Sequence, residues 1–312
     1  MILICRFLIN WYKQFRNIVL IFMNKINWTF QILFVLTNVL QVINFVLIAP
    51  SALSQITPSK INLIYQSQFS QNLTKNLQAA HSEGCFILYD LKRDRYIRYN
   101  SQHCQKRFIP ASTFKIFNSL VALETKAIAD ENTIILWNGV VNNEFTAWNQ
   151  DQTMRTAFTR SVVWFYQDLA RRIGKERMTK YIQAASYGNQ DIEDKIDTFW
   201  LNGKLRISPE DQIKFLVRLY KEDLPFSPTV MQTVKDVMVI ERQDHYILRG
   251  KTGWGRDVDG IKNIGWYVGY LERDNNVYFY ALNMINQDPN FPMIPTRKKI
   301  LFDAFKDLQL ID

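Results

Sequence analysis

Alternating apolar and polar positions predict strands near both ends of the chain. The runs at 86–91 and 95–99 are joined by Lys92-Arg93-Asp94, and this arrangement predicts a β-hairpin. Asp274-Asn275-Asn276 predicts a turn between two later strands. The strands predicted in this second group cover 245–249, 264–271 and 277–284.

Helical spacing dominates the residues between these two groups of strands. Pro110 precedes a helix predicted to begin at Ser112, and most of 157–236 is predicted to be helical. Within that region, Ala157–Ile173 predicts a single helix that ends at Gly174.

Two further helix starts carry capping residues. Ser208, followed by Pro209, predicts one start, and Thr296 is predicted to cap a closing helix. Strands at both ends with helices between them predict an α/β fold, in which the termini build one sheet and a helical insertion spans about 118–243. A functional cleft is expected where the sheet meets the insertion.

The first 54 residues have the pattern of an export segment. Trp28–Ile48 is an apolar run preceded by Lys25 and followed by small residues. We expect 1–54 to be a cleaved signal peptide, with an uncleaved N-terminal anchor as the alternative because the run is long. Translation is predicted to start at Met23, and 55–312 is predicted to form a single domain.

The basic charge of the chain belongs partly to that segment. The formal charge is +9, and residues 1–54 contain four basic residues and no acidic one, so the remainder carries about +5. A modest charge without a recognition motif predicts no nucleic-acid partner. Membrane contact is expected only through an uncleaved N-terminal segment.

Cysteine and histidine usage adds two expectations. Cys5 lies in the leader, whereas Cys85 and Cys104 flank the predicted hairpin and are expected to lie close enough for a disulfide. Two unpaired thiols remain the alternative. The three histidines are dispersed without metal-ligand spacing, so we predict no metal site and expect each histidine at the surface or in a loop; they are His81, His103 and His245.

Ser112-Thr113-Phe114-Lys115 places a hydroxyl and an amine one helical turn apart. At a helix N-terminus, free N–H groups and the helix dipole can stabilise a developing oxyanion. Phe114 and Phe117 are apolar neighbours that can desolvate Lys115 and lower its pKa, which would make the amine a base for the Ser112 proton.

Lys251-Thr252-Gly253 follows a predicted strand. An edge-strand lysine supplies positive charge, Thr252 supplies a hydroxyl, and Gly253 leaves room for a substrate along the backbone. Alone, each of these two motifs can occur by chance in a helix or at the end of a strand without any catalytic role. Together, in this order, they are typical of the penicillin-recognising serine enzymes.

The motifs between them narrow the resemblance. Ser161-Val162-Val163, predicted to lie inside a helix, is followed by Tyr187-Gly188-Asn189 and Trp200. Taken singly, these would be a helix serine, a loop and a core tryptophan. In this order they make the chain resemble class D (oxacillinase-type) β-lactamases from about Gly84 to Phe305, a family with an antiparallel sheet flanked by helices and a mostly helical subdomain.

The resemblance implies a role for each matched residue. Ser112 is the nucleophile, Ser161 beside Lys251 relays a proton to the departing lactam nitrogen, and Lys115 reacts with CO2 to give the carboxylated general base (N6-carboxylysine). Amides of Ser112 and Trp254 form the oxyanion hole. The expected carbamate pocket consists of Val163, Trp200 and Phe114, and the expected substrate contacts are Thr252, Gly253, Trp254, Arg297 and Tyr187.

The resemblance also implies the reaction and its requirements. The expected substrates are β-lactam antibiotics, CO2 or bicarbonate is the only cofactor, and the location is the periplasm or the outer face of the inner membrane. A β-lactam sensor, or a penicillin-binding protein that acylates and deacylates slowly, remains the alternative. Rapid turnover of a β-lactam distinguishes the hydrolase from both.

Overall fold

The computed structural model describes residues 58–256 and 262–312. The predicted signal peptide or anchor, including the predicted start at Met23, lies outside these residues. Tyr65–Asp312 forms one compact unit. Within the described ranges, the helices fall short of the length and apolar character needed to cross a membrane.

One antiparallel sheet of six strands organises the described residues, in the spatial order β2-β1-β6-β5-β4-β3. The strands are β1 Glu83–Asp90, β2 Arg95–Tyr99, β3 Val239–Arg242, β4 Tyr246–Arg256, β5 Asn263–Arg273 and β6 Asn276–Asn286. The sheet is therefore built from the two ends of the domain, which confirms the prediction from the strand patterns.

The helices lie before, between and after the two groups of strands. They are α1 Pro58–Ala79, α2 Ser101–Gln105, α3 Lys115–Glu124, α4 Met154–Thr159, α5 Val163–Ile173, α6 Lys175–Ala185, α7 Pro209–Tyr220, α8 Pro228–Val237 and α9 Met293–Asp307, with 3-10 turns at Ala111–Phe114 and Thr146–Trp148. The elements described between β2 and β3 are helical, as expected for the insertion.

Each face of the sheet buries its own core, because neighbouring strand residues point to opposite sides. Ile87 and Val268 belong to the core on the insertion side. Phe86 and Leu282 belong to the core on the other side, together with residues of α1 and α9. The inner strands are consequently buried on both faces and consist of nearly continuous apolar residues.

The structure contains the predicted turn between β5 and β6 and the expected disulfide. Asp274 and Asn275 both have positive φ angles, 52° and 55°, as a tight turn between two antiparallel strands requires. Cys85 in β1 and Cys104 in α2 form a disulfide across 19 residues of sequence. A closed loop of that size stabilises a fold by about 3 kcal/mol in the chain-entropy model.

The single helix predicted over Ala157–Ile173 is wrong. Helix α4 ends at Thr159 and α5 begins at Val163. Between them Ser161 has a φ angle of 57°, and the Val162 N–H donates to the Ala157 carbonyl at 2.8 Å. That bond and the left-handed residue form a Schellman-type helix end, which lifts Ser161 out of helical geometry.

Two smaller expectations also need correction, and one helix was not predicted. Helix α9 begins at Met293, so Thr296 lies in its first turn, where its hydroxyl donates to the Pro292 carbonyl at 2.8 Å rather than capping the helix. His103 is buried, because its imidazole hydrogen-bonds the Asn283 side chain at 2.8 Å. The polar stretch at 66–78 is part of α1, which the sequence did not predict as a helix.

Candidate active site

Ser112 and Lys115 meet at the start of α3. Ser112 lies in the 3-10 turn and Lys115 is the first residue of the helix, so their side chains project from the same side. The Lys115 Nζ donates to the Ser112 Oγ at 2.6 Å. Lys115 is completely buried, whereas Ser112 keeps 8% exposure. A nucleophile and a potential base are therefore in direct contact.

One aromatic ring lies beside the Lys115 amine, and an aromatic stack forms at the preceding residue. Tyr166 places its ring centroid 5.3 Å from the Nζ. Phe114 stacks on the buried Trp200 at a centroid separation of 5.3 Å. Within the described residues no carboxylate pairs with Lys115, and burial lowers its pKa to about 7. Near neutral pH a large fraction of the amine is uncharged and can accept a proton.

Lys251 and Ser161 form a second polar pair facing the first. The Lys251 Nζ donates to the Ser161 Oγ at 3.0 Å and to the Thr252 carbonyl at 3.1 Å. Burial holds the pKa of Lys251 well below its usual value, and the positive charges of Lys115 and Arg297 lower it further. The left-handed backbone at Ser161 is what releases its hydroxyl toward β4.

Arg297 reaches the same strand from α9. One of its terminal nitrogens donates to the Gly253 carbonyl at 2.5 Å, which places the guanidinium beside Thr252. Arg297 is buried, and its Nε has no hydrogen-bond partner. Burial lowers its pKa to about 10, so the group stays charged at neutral pH. It is a cation placed to receive an anion.

Strand β4 offers its backbone at the cleft. Strand β3 pairs with β4 only over Ile247–Arg249. From Lys251 onward, that edge of β4 has no partner strand among the described residues, so an extended substrate can lie along it.

Gly253 has a different reason for being glycine than the one expected from the sequence. A Cβ atom there would lie 3.1 Å from the Pro110 carbonyl oxygen and 3.1 Å from the Thr113 methyl. The missing side chain makes room for the protein's own nucleophile segment rather than for a substrate.

Three other expected residues have different environments. Trp200 supports the nucleophile segment directly, because its carbonyl accepts the Ala111 N–H at 3.0 Å. Val163 is the half-buried first residue of α5. Tyr187 lies in the core with 2% exposure, its ring 4.8 Å from that of Phe117, and its position favours a supporting role over a substrate contact.

Two buried amides behind the motifs were missed in the sequence. The Asn118 side chain, one turn after Lys115, donates to the Tyr166 carbonyl at 3.1 Å and so fixes the residue whose ring covers the amine. Gln212 donates to the Thr113 hydroxyl at 2.9 Å, next to the nucleophile. The one available signal was a polar residue on the apolar side of each helix.

This arrangement suits covalent catalysis on an anionic substrate. An uncharged amine can take the Ser112 proton, and the buried Arg297 guanidinium, which is charged at neutral pH, can pair with a substrate anion. Clusters of histidine, cysteine and acidic side chains able to hold a metal ion are absent from the described ranges.

Comparisons with known proteins show which families and structures this chain is similar to. The family model of the penicillin-binding protein transpeptidase domain matches residues 62–304. Beta-lactamase OXA-48 of Klebsiella pneumoniae is 41% identical over 230 residues, covering 74% of this chain and 85% of that protein. The crystal structure of the class D β-lactamase YbXI from Nostoc is 45% identical with a TM-score of 0.72, covering 77% of this chain and 99% of that one. The expected fold is confirmed.

A regulatory protein shares part of the resemblance. Regulatory protein BlaR1 of Bacillus licheniformis is 35% identical over 203 residues, covering 65% of this chain but only 33% of that protein. The lower identity and coverage make it the weaker match.

Replacing the buried amine should stabilise the protein in a pH-dependent way. Lys115→Met keeps the shape of the side chain and removes the charge. Because the pKa of Lys115 is about 7 in the folded protein and 10.5 ordinarily, unfolding takes up a proton between these values, so wild-type stability rises with pH across that window. We expect the variant to gain about 2–4 kcal/mol at pH 6 and to lose this advantage by about pH 10.

Urea unfolding in CO2-free buffer across this pH range measures the effect. Lys180→Met, at an exposed position of α6, is the control and should keep the wild-type profile. A pH-independent difference between Lys115→Met and wild type would show that the amine is not held uncharged.

Proposed function

The chain belongs to the class D β-lactamase family of hydrolases, and we propose that Ser112 is its nucleophile and Lys115 its general base. One observation carries this proposal: the Lys115 amine lies 2.6 Å from the Ser112 hydroxyl. The Tyr166 ring lies 5.3 Å from the amine, and burial lowers the pKa of Lys115 to about 7. β-Lactam antibiotics are the substrates of this family.

Acylation follows from the positions of four side chains. The Lys115 side chain takes the proton from Ser112 as the Oγ attacks the lactam carbonyl, and the amides of Ser112 and Trp254 bind the oxyanion. The ring C–N bond then breaks, and Ser161 passes a proton to the nitrogen. Lys251, 3.0 Å from the Ser161 Oγ, replaces that proton and favours transfer.

Deacylation uses the same groups in a second displacement. The Lys115 side chain first releases the proton gained in acylation to solvent, from which Lys251 regains its own. Lys115 then takes a proton from a water molecule, the water oxygen attacks the ester carbonyl, and Ser112 leaves as that proton passes to its Oγ. Arg297 and Thr252 hold the substrate carboxylate during both steps. The buried guanidinium at Gly253, which lacks a carboxylate partner among the described residues, supports this role.

The pocket also suits carboxylation of Lys115. CO2 combines with an uncharged amine, forming a nitrogen–carbon bond and releasing one proton, and a pKa of about 7 makes that amine available. The carbamate supplies an anionic base. Phe114 and Val163 would line its pocket, and the Trp200 indole N–H would hold it in place. The stacking of buried Trp200 on Phe114, the residue before Lys115 in the chain, supports this assignment.

A slowly deacylating sensor is the second candidate, and the match to BlaR1 is the observation that favours it. Purified protein should hydrolyse many equivalents of a chromogenic cephalosporin per active site, whereas a sensor would release one equivalent and stop.

Ser112→Ala should abolish even that first equivalent. Lys115→Ala should slow acylation at least 100-fold and abolish deacylation. Turnover retained in Ser112→Ala would exclude it as the nucleophile.

Trp200 should control retention of the carbamate. Without its indole donor, we expect Trp200→Phe to lose at least 10-fold activity in CO2-depleted buffer and to recover much of it with added bicarbonate. The matched control is Trp164→Phe, because the indole of Trp164 donates to the Trp148 carbonyl instead. Equal bicarbonate dependence in the two variants would remove Trp200 from this role.

We further propose that the chain is exported to the periplasm, with 1–54 as a cleaved signal peptide. Disulfides persist in oxidising compartments, and the Cys85–Cys104 bridge supports this location. N-terminal sequencing of the mature product should find a start after Ser51 or Ser54. An intact apolar run in the membrane fraction would indicate the anchor, and cytoplasmic protein would contradict export.

A further inference from the structure

One row of residues crosses the sheet beneath the nucleophile segment. Cys85 of β1 pairs with Asn283 of β6, Asn283 pairs with Trp266 of β5, and Trp266 pairs with Gly253 of β4. Residues directly opposite each other in antiparallel strands project to the same face. All four positions therefore face the insertion.

Each member of this row touches the chain that leads to Ser112. Cys85 bonds Cys104, and the imidazole of His103 hydrogen-bonds Asn283 at 2.8 Å. The Trp266 indole N–H donates to the Ile109 carbonyl at 2.9 Å, a bond that is completely buried. At the end of the row, Gly253 lies against Pro110 and Thr113. Residues 103–113 are thus held against the sheet by contacts with this row.

The insertion holds the same segment from the other side. Phe108 exchanges two backbone hydrogen bonds with Ile207, at 2.9 and 2.8 Å, and the Ala111 N–H donates to the Trp200 carbonyl at 3.0 Å. Ala111 is left-handed, with a φ angle of 48°, a conformation that a non-glycine residue keeps only under constraint. The distance between residues 103–113 and the sheet, which we call the height of the segment, is therefore set by contacts with both the sheet and the insertion.

We propose that Trp266 is a positioning residue of the oxyanion hole. Its backbone pairs with Gly253, which precedes Trp254, and its indole holds Ile109, three residues before Ser112. One residue consequently fixes the separation of the two amides that bind the oxyanion. This inference rests on the proposed role of those amides, because Trp266 itself does not touch the substrate. Misplacement by about 1 Å can cost a reaction about 100-fold.

Stopped-flow kinetics of Trp266→Phe with a chromogenic cephalosporin tests the proposal. The variant removes the indole donor and leaves the Ile109 carbonyl unpaired. Both the acylation and the deacylation rate constants should fall about 10-fold, because both transition states use the oxyanion hole, while the dissociation constant of the non-covalent complex stays unchanged. A residue that only stabilised the fold would reduce the amplitude of the burst, which counts active molecules, and leave the rate constants of those molecules unaltered.

Asn276→Ala is the matched control for stability. Its side chain donates to Asp90 at 2.8 Å in a buried bond at the opposite end of β6 from the row. We expect this variant to lower the unfolding midpoint and keep wild-type rate constants. Trp266→Phe with wild-type rate constants would overturn the proposal. Wild-type protein that forms no acyl-enzyme at Ser112 would instead overturn the proposed function.

Gly253→Ala gives a second route if Trp266→Phe does not fold. The added methyl group would press on Pro110 and Thr113 from the strand side, without facing the substrate. It should slow both chemical steps at least 5-fold with an unchanged dissociation constant, because it displaces the same segment. Unaltered rate constants in a folded Gly253→Ala protein would contradict the proposed sensitivity of the oxyanion hole to the height of the segment.

Discussion

The site depends on the burial of three basic side chains without a carboxylate partner among the described residues. Lys115, Lys251 and Arg297 each make only neutral hydrogen bonds there, and burial lowers the pKa of all three. Such burial opposes folding, and the surrounding core must offset it. The free-energy cost of burying charge makes the Lys115 amine a base at neutral pH and leaves the Arg297 guanidinium ready for a substrate anion. The loss of stability and the gain of reactivity therefore have the same physical cause.

No single part of the fold contains this set of groups. Ser112 and Lys115 begin a helix, Ser161 lies in a break between helices, Lys251 belongs to a strand, and Arg297 comes from the closing helix. The sheet brings them together because β4 receives the insertion on one face and α9 on the other. The cleft is consequently complete only when all three layers have assembled, which explains why it occurs at their junction.

The sequence predicted the parts of this fold that local chemistry determines. Hairpin turns, capped helices and strand alternation depend on neighbouring residues, and the order of the motifs located Ser112 and Lys251. It missed what tertiary contacts determine. Helix α1 is polar along most of its length, His103 is buried only because Asn283 offers a partner on a distant strand, and Trp266 resembled any other strand aromatic. The break at Ser161 was hidden because its residues have ordinary helical propensity.

The left-handed backbone at Ser161 narrows the substitutions that this position can accept. Glycine or asparagine would adopt the φ angle of 57° readily, but neither carries a hydroxyl. Threonine carries the hydroxyl, yet its branched Cβ opposes that conformation at a cost of about 1–3 kcal/mol. Serine alone meets both demands. An inhibitor anchored on this oxygen would therefore leave a bacterium few single-residue routes to resistance at the point of contact.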